Sequence, residues 1–302
     1  MEVNGILYNF NTDNINKDIS MHGGIPKKFN GLKDKKFGDW EIPPWELYIF
    51  IDRLLGKGAF SKVYLAKWRE TFVVAKIINP EVCNEKKEFV LREIDIMSKL
   101  HHPNIVQFLG YIDNPFIIIL EYVPKGDLFE NNNISKLYRF EKINIMKDIL
   151  RGLAYLHNRK PHNLIHRDIK PTNILLTKSK TAKITDFGLS KFYQLNKNNS
   201  YNNLTNLTNS GDNELSHNVG TSKYMAPELL NNQNYDNKID IYACGILLYE
   251  LFENRRYISN IKLSWYWCPK KIKNIIINYM LCKQSERLDA LTILNILENK
   301  KI

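Results

Sequence analysis

A chain of 302 residues, 44% hydrophobic and 25% charged, has ample apolar content for one large domain or two lobes of ordinary soluble composition. Its formal charge is +11, but the clusters Lys27-Lys28, Lys33 to Lys36 and Lys270 to Lys273 are scattered and show no stripe of interleaved aromatics, so solvated surface is expected, with no specific nucleic-acid or membrane partner. No apolar run reaches membrane-spanning length, Met1-Glu2-Val3-Asn4 lacks signal-peptide and myristoylation patterns, and Cys83, Cys244, Cys268 and Cys282 lack metal-type spacing, which points to an intracellular, cytoplasmic protein with reduced thiols.

Residues 1–39 are rich in Asn, Lys and Gly without a sustained period, and read as a poorly ordered extension. The folded region, 40–302, opens near Trp40-Glu41-Ile42-Pro43-Pro44-Trp45-Glu46-Leu47. A strand then leads into Leu55-Gly56-Lys57-Gly58-Ala59-Phe60-Ser61-Lys62-Val63, where the glycines let the backbone approach a phosphate with no Cβ in the way. Alone, such a pair is no better than a hairpin turn. Strands over Val63 to Lys67 and Phe72 to Ile78 follow, and the second carries Lys76, an ammonium in an apolar run that needs a partner. The helix expected over Glu85 to Leu100 supplies one, because Glu93 shares its apolar face with Phe89, Met97 and Leu100. His102-Pro103-Asn104-Ile105-Val106 ends that helix and starts a strand, and Phe116 to Leu120 forms another. The chain then turns polar over Glu121 to Asp127, as a connection between lobes does. Phe140, Ile143, Met146, Ile149, Leu153 and Leu156 mark an amphipathic helix from Phe140 to His157.

That helix delivers the chain to His166-Arg167-Asp168-Ile169-Lys170-Pro171-Thr172-Asn173, followed by Asp186-Phe187-Gly188. Asp168 can accept a proton from a hydroxyl, and Lys170 can neutralise a transferring anion. Asn173 and Asp186 offer hard oxygens to Mg²⁺, which favours such ligands together with substrate phosphates. The set suits phosphoryl transfer. Short strands over Asn173 to Leu176 and Ala182 to Thr185 flank the two motifs. Residues 192–216 are a low-complexity insert of Asn, Ser, Thr and Leu, expected to be disordered unless pinned, ahead of Gly220-Thr221-Ser222-Lys223-Tyr224-Met225-Ala226-Pro227-Glu228. Helices are expected over Asp240 to Phe252, Lys270 to Cys282, and from Asp289.

These motifs, in this order over about Leu47 to Leu297, resemble the eukaryotic protein kinase family. Lys170 and Gly220-Thr221-X-X-Tyr224 are similar to its serine/threonine type, and Leu65-Ala66-Lys67-Trp68-Arg69 to the tyrosine-kinase-like group. The resemblance implies an α+β, two-lobed fold: a small β-rich N-lobe (about 40–120), a hinge (121–127) and a larger, mainly helical C-lobe (128–302). It implies that ATP is contacted by the run Leu55 to Val63, Ala75, Lys76, Leu175 and the main chain of Glu121 and Val123, with Leu120 as gatekeeper. Lys76 would hold the α- and β-phosphates and pair with Glu93, while Asp168 takes the proton and Lys170 contacts the γ-phosphate. Asn173 and Asp186 would bind Mg²⁺, with Mn²⁺ as a substitute. Glu228 would pair with Arg287, and Met97, Phe108, His166 and Phe187 would stack into a spine resting on Asp240.

The implied partner is a protein substrate with a Ser or Thr acceptor. Autophosphorylation at Thr205, Thr208, Ser210 or Ser216 would be gripped by Arg167 and Lys191; the competing reading is a tolerated loop, with Arg167 bonding backbone. Oligomeric state is left open. The chain departs from the family pattern at Ser61, in place of a third glycine, at Leu288, where a proline usually follows the arginine, and at Arg255-Arg256-Tyr257, where a proline-phenylalanine pair is common. The alternative is a catalytically inactive, kinase-like scaffold that binds partners. Intact Lys76, Glu93, Asp168, Asn173 and Asp186 favour the enzyme. A basic nucleic-acid binder rests on charge alone.

Overall fold

Apolar residues between Leu47 and Glu121 build one antiparallel sheet. In the computed structural model, which describes residues 38–58, 61–79, 87–130, 134–160, 162–195, 201–202, 222–259 and 261–299, its strands are β1 (Leu47–Lys57), β2 (Ser61–Trp68), β3 (Thr71–Ile78), β4 (Phe108–Ile112) and β5 (Ile117–Glu121), in the order β1-β2-β3-β5-β4. Helix α1 (Lys87–Met97) belongs to the same unit, which comprises Met1–His101 and Val106–Tyr122. Val73, Ala75 and Ile77 turn one face of β3 into a buried cluster with Leu47, Ile49, Ile117 and Ile119. The period of two therefore sends Lys76 to the opposite face. The lead-in residues close the sheet edge: Tyr111 N–H donates to the Trp40 carbonyl at 2.9 Å and Ile42 N–H to the Tyr111 carbonyl at 2.8 Å. Gly110 is required there, because a Cβ would lie 2.7 Å from the Trp40 carbonyl oxygen and 2.7 Å from Ile42 Cδ1.

The second unit, His102–Ile105 with Val123–Ile302, is mainly helical. Its long helices are α2 (Arg139–His157) and, after strands β6 (Asn163–Ile165), β7 (Ile174–Leu176), β8 (Ala182–Ile184), β9 (Lys191–Leu195) and β10 (Tyr201–Asn202) and the short α3 (Pro227–Leu230), α4 (Lys238–Glu253). Then come α5 (Lys270–Ile275), a π-helical turn (Ile276–Met280) and α6 (Ala290–Asn299). The expected helix Lys270 to Cys282 is thus two helical forms in succession. Helix α2 packs on α6 and α4, and its Ile145, Met146, Ile149, Leu150, Leu153 and Leu156 are all fully buried. Phe140 does not join that stripe and is 62% exposed. Lys142, two residues on and on another side of the helix, is buried instead, and its Nζ donates to Asn254 Oδ1 at 2.6 Å. Helix α4 is buried on nearly every side, which fits its apolar composition.

The insert expected at 192–216 begins as regular structure: β9 pairs with β6 and with β10. The remainder of that insert, its candidate phosphoacceptors, Gly220-Thr221, Cys83, and the extension apart from Gly38 and Asp39 lie outside the described residues. Among the described residues, no helix is long and apolar enough to cross a membrane.

Candidate active site

Two groups of the expected residues are assembled, one in each unit. In the strand unit, Lys76 sits mid-β3, paired across the sheet with Val63 of β2 and Ile118 of β5. Its Nζ lies 2.6 Å from Glu93 Oε1 on α1, with side chains only 14% and 9% exposed. An ion pair this dry is costly to assemble and strongly destabilised if one partner is removed. The strand pattern buries the lysine, the helical pattern brings the acid, and each supplies what the other lacks.

The β1–β2 connection closes through Gly58 N–H donating to the Ser61 carbonyl at 2.9 Å, with Ser61 buried and Lys57 and Lys62 exposed. Ala59 and Phe60 lie outside the described residues. A Cβ added at Gly56 or Gly58 would meet no protein atom nearer than 3.9 and 3.6 Å respectively. In contrast to Gly110, packing does not demand these glycines; they keep open the space beside the backbone. Leu55 is 44% exposed, Val63 half-buried, and Ala75 fully buried.

In the helical unit, the loop after β6 is organised by Asp240 of α4. Its Oδ2 accepts the His166 N–H at 2.8 Å and the His157 Nε2–H at 2.9 Å, and its Oδ1 accepts the Arg167 N–H at 2.9 Å. Burial acts to raise the Asp240 pKa, but the His157 hydrogen bond and the charges around it hold the carboxyl below its ordinary value. His157 was not among the expected residues. Its only sequence signal is a histidine in the last turn of α2, where a cation suits the helix C-terminus.

These bonds hold Arg167 at φ 67°, a left-handed conformation that is unfavourable outside glycine. Asp186 also has a left-handed backbone, at φ 66°. The His166 ring bridges the two motifs: its Nε2–H donates to the Thr185 carbonyl at 3.1 Å, its Nδ1 accepts the Asp168 N–H at 3.2 Å, and Phe187 packs edge-on with centroids 5.0 Å apart. Phe187 is 1% exposed whereas Asp186, one residue earlier, is exposed. The motif thus anchors through its ring and presents its acid.

Asp168 is 6% exposed. Its Oδ2 receives Lys170 Nζ at 2.8 Å and Asn173 Nδ2 at 2.9 Å. Its Oδ1 is buried with no hydrogen-bond partner. An orphaned carboxylate oxygen of this kind is costly unless a ligand completes it. Burial pushes the Asp168 pKa up, partly offset by the Lys170 ammonium. Asn173 Nδ2 also donates to the Asp168 carbonyl at 2.8 Å, so the amide nitrogen is committed and the oxygen is the side chain's ligand-type atom. Among the described residues, no group of three or more His, Cys, Asp or Glu could hold a metal. A cation here would take oxygens from Asn173 and Asp186 and complete its shell with phosphate and water, as Mg²⁺ commonly does.

Beside Asp168 lies a cavity lined by Arg167, Tyr224, Met225, Ala226 and Leu229. Arg167 Nε donates to the Leu189 carbonyl at 2.6 Å, the backbone bond of the competing reading. In the same unit Arg287 and Glu228 form the expected pair, with N–O distances of 2.5 and 3.3 Å, and Arg287 also donates to the carbonyls of Lys238 and Cys282. Leu288, which departs from the family pattern of a proline after the arginine, uses its N–H on the Tyr279 carbonyl at 3.1 Å, a bond proline cannot make. Val123 is buried, Glu121 and Leu175 are half-buried, and Glu121 N–H donates to the Gln107 carbonyl at 2.9 Å.

The sequence profile described as "Protein kinase domain" matches residues 50–290. The chain is 35% identical over 259 residues to the serine/threonine-protein kinase VIK of Arabidopsis thaliana, covering 80% of this chain and 56% of that protein. It is 37% identical over 223 residues to a probable myosin light chain kinase of Dictyostelium discoideum, covering 70% and 42%. It is also 35% identical over 218 residues to human mitogen-activated protein kinase kinase kinase 7, covering 70% and 32%. The chain therefore spans about half, or less, of the length of these relatives.

Proposed function

This chain belongs to the protein kinase family, and from that premise we propose that it is an active serine/threonine kinase, transferring the γ-phosphoryl group of Mg-ATP to protein hydroxyls. One observation carries the reading: the buried, unpartnered Asp168 Oδ1, beside a carboxylate oxygen already engaged by Lys170 and Asn173. That oxygen is the acceptor for the substrate hydroxyl proton, and the raised pKa brings its basicity closer to the operating pH. Lys170, on the other oxygen, is placed to meet the charge of the transferring group.

Lys76, oriented by Glu93, holds the α- and β-phosphates, and the open backbone at Gly56 and Gly58 admits them. Asn173 and Asp186 supply the metal oxygens. Held there, Mg²⁺ would neutralise the charge of the phosphates. Catalysis by this set is positioning plus electrostatic stabilisation, with the rigid Asp240 bonds setting the loop in advance.

The test is transfer of labelled phosphate from Mg-ATP to a generic protein substrate, read beside Lys76→Met. Transfer to serine and threonine that is lost in the variant supports the proposal. Absence of transfer by the wild-type chain, with ATP still bound, returns the scaffold reading.

A further inference from the structure

From Asn254 to Ser285 the chain contains no acidic residue and seven cations, Arg255, Arg256, Lys262, Lys270, Lys271, Lys273 and Lys283. Within it, Ile258 is 61% exposed, Ile261 58%, Tyr266 74% and Trp267 70%. By sequence alone Lys270 to Lys273 is a run of solvated charge without interleaved aromatics. The structure displays two large exposed rings just ahead of it.

The display is held from beneath. Glu253, 3% exposed, accepts the N–H groups of Tyr266, Trp267 and Cys268 at 2.9, 3.1 and 2.9 Å. Glu250, fully buried, accepts the Tyr257 N–H at 2.6 Å. Arg255 bonds the Ser264 carbonyl and lies over the rings of Tyr249 and Tyr266, each at 5.4 Å. Trp265 packs on Tyr249 with centroids 5.0 Å apart. Two buried carboxylates committed to a loop backbone are expensive. Their effect is a fixed platform that presents Tyr266 and Trp267 to solvent. Large exposed aromatics on a rigid base, with cations around them, have the composition of an interface centre.

The platform is tied to the acceptor site. Glu250 also accepts Tyr224 Oη–H at 2.8 Å and Lys223 Nζ at 3.2 Å, and Tyr224 lines the cavity beside Asp168. A protein with its hydroxyl at Asp168 has chain to spare for this neighbouring surface. We infer that residues 254–259 and 261–269 and the start of α5 form a docking surface for an acidic segment of the protein substrate, one that carries an apolar side chain for the Tyr266–Trp267 platform. This rests on the kinase activity proposed above. Charge complementarity chooses the acidic partner, and the link through Glu250 chooses a protein over a lipid surface.

The test is fluorescence anisotropy of a fluorescein-labelled peptide, glutamates flanking one leucine, titrated with the full chain. Binding is expected that weakens with salt, and that falls about tenfold or more in Trp267→Ala and in Lys270→Glu. Both side chains are exposed, and an unchanged melting temperature certifies the fold. With dephosphorylated casein as an acidic substrate, KM is expected to rise about as much in these variants with kcat unchanged. Unchanged peptide affinity in both variants overturns the inference. So does a surface that ignores the peptide but binds phosphatidylserine vesicles through the same residues, or a dimer of the chain dispersed by Trp267→Ala. The anisotropy needs no catalysis. Transfer without peptide binding refutes the surface alone, whereas peptide binding without transfer refutes the kinase reading and keeps an acidic partner site.

Discussion

Replacing Asp240 by asparagine preserves the side-chain shape and removes one oxygen from the centre of the catalytic loop. Oδ2 serves His157 and the His166 N–H, whereas Oδ1 serves only the Arg167 N–H. The least damaging amide orientation therefore sets an NH₂ against the Arg167 N–H. A buried donor left without an acceptor costs about 1–3 kcal/mol, and the two surviving bonds lose charge assistance worth about 1 kcal/mol each. The expected loss is about 3–5 kcal/mol in urea unfolding followed by tryptophan fluorescence. Activity falls as well, because this bond helps hold Arg167 in its left-handed conformation next to Asp168. The pH dependence has a definite sign. The folded pKa of Asp240 is depressed below the ordinary 3.8. Its contribution is complete above that value and is lost as pH falls through the folded pKa. The gap between wild type and variant is therefore expected to narrow only below about pH 4. A loss under about 1 kcal/mol with kcat unchanged would refute the role of Asp240 as organiser of the loop.

Arg287→Lys keeps the charge but cannot reproduce the forked contact to Glu228 or both carbonyl bonds, so a loss of about 3 kcal/mol is expected in thermal unfolding; a neutral result removes this brace. Gly110→Ala is expected to destabilise by about 1–3 kcal/mol through its 2.7 Å clashes, whereas Gly58→Ala leaves the melting temperature alone and raises KM for ATP. The reverse ranking would contradict the assignment of Gly58 to phosphate approach. Asp186→Asn is expected to raise the Mg²⁺ concentration for half-maximal transfer, with no change in the magnesium-free melting temperature; an unaltered metal requirement removes Asp186 from the metal site.

Much of the site was readable because its chemistry is local in sequence. Asp168, Lys170 and Asn173 lie within one short loop, and Lys76 announces its need for a partner by sitting in an apolar strand. Glu93 was found by helical spacing alone. What escaped was set by distant contacts. His157 and the backbone bonds of Asp240 join segments about 80 residues apart, as the His157–Asp240 separation of 83 shows, and no period marks them. Phe140 obeyed the helical period yet points to solvent, because it sits in the first turn of α2, ahead of the buried stretch that begins at Lys142. Glu250 lies inside an apolar stretch and Glu253 just beyond it, and neither has a sequence neighbour that marks a partner. The backbone N–H groups they accept belong to a loop whose path no side-chain pattern describes.

The central claim is that Asp168 carries the proton-transfer step of the proposed kinase reaction. Steady-state kinetics of Asp168→Asn alongside ATP affinity by calorimetry tests it most directly. The account predicts a fall in kcat of about 10²–10⁴ with the Kd for Mg-ATP nearly unchanged. An undiminished kcat would contradict it, because the orphaned oxygen would then have no part in the reaction.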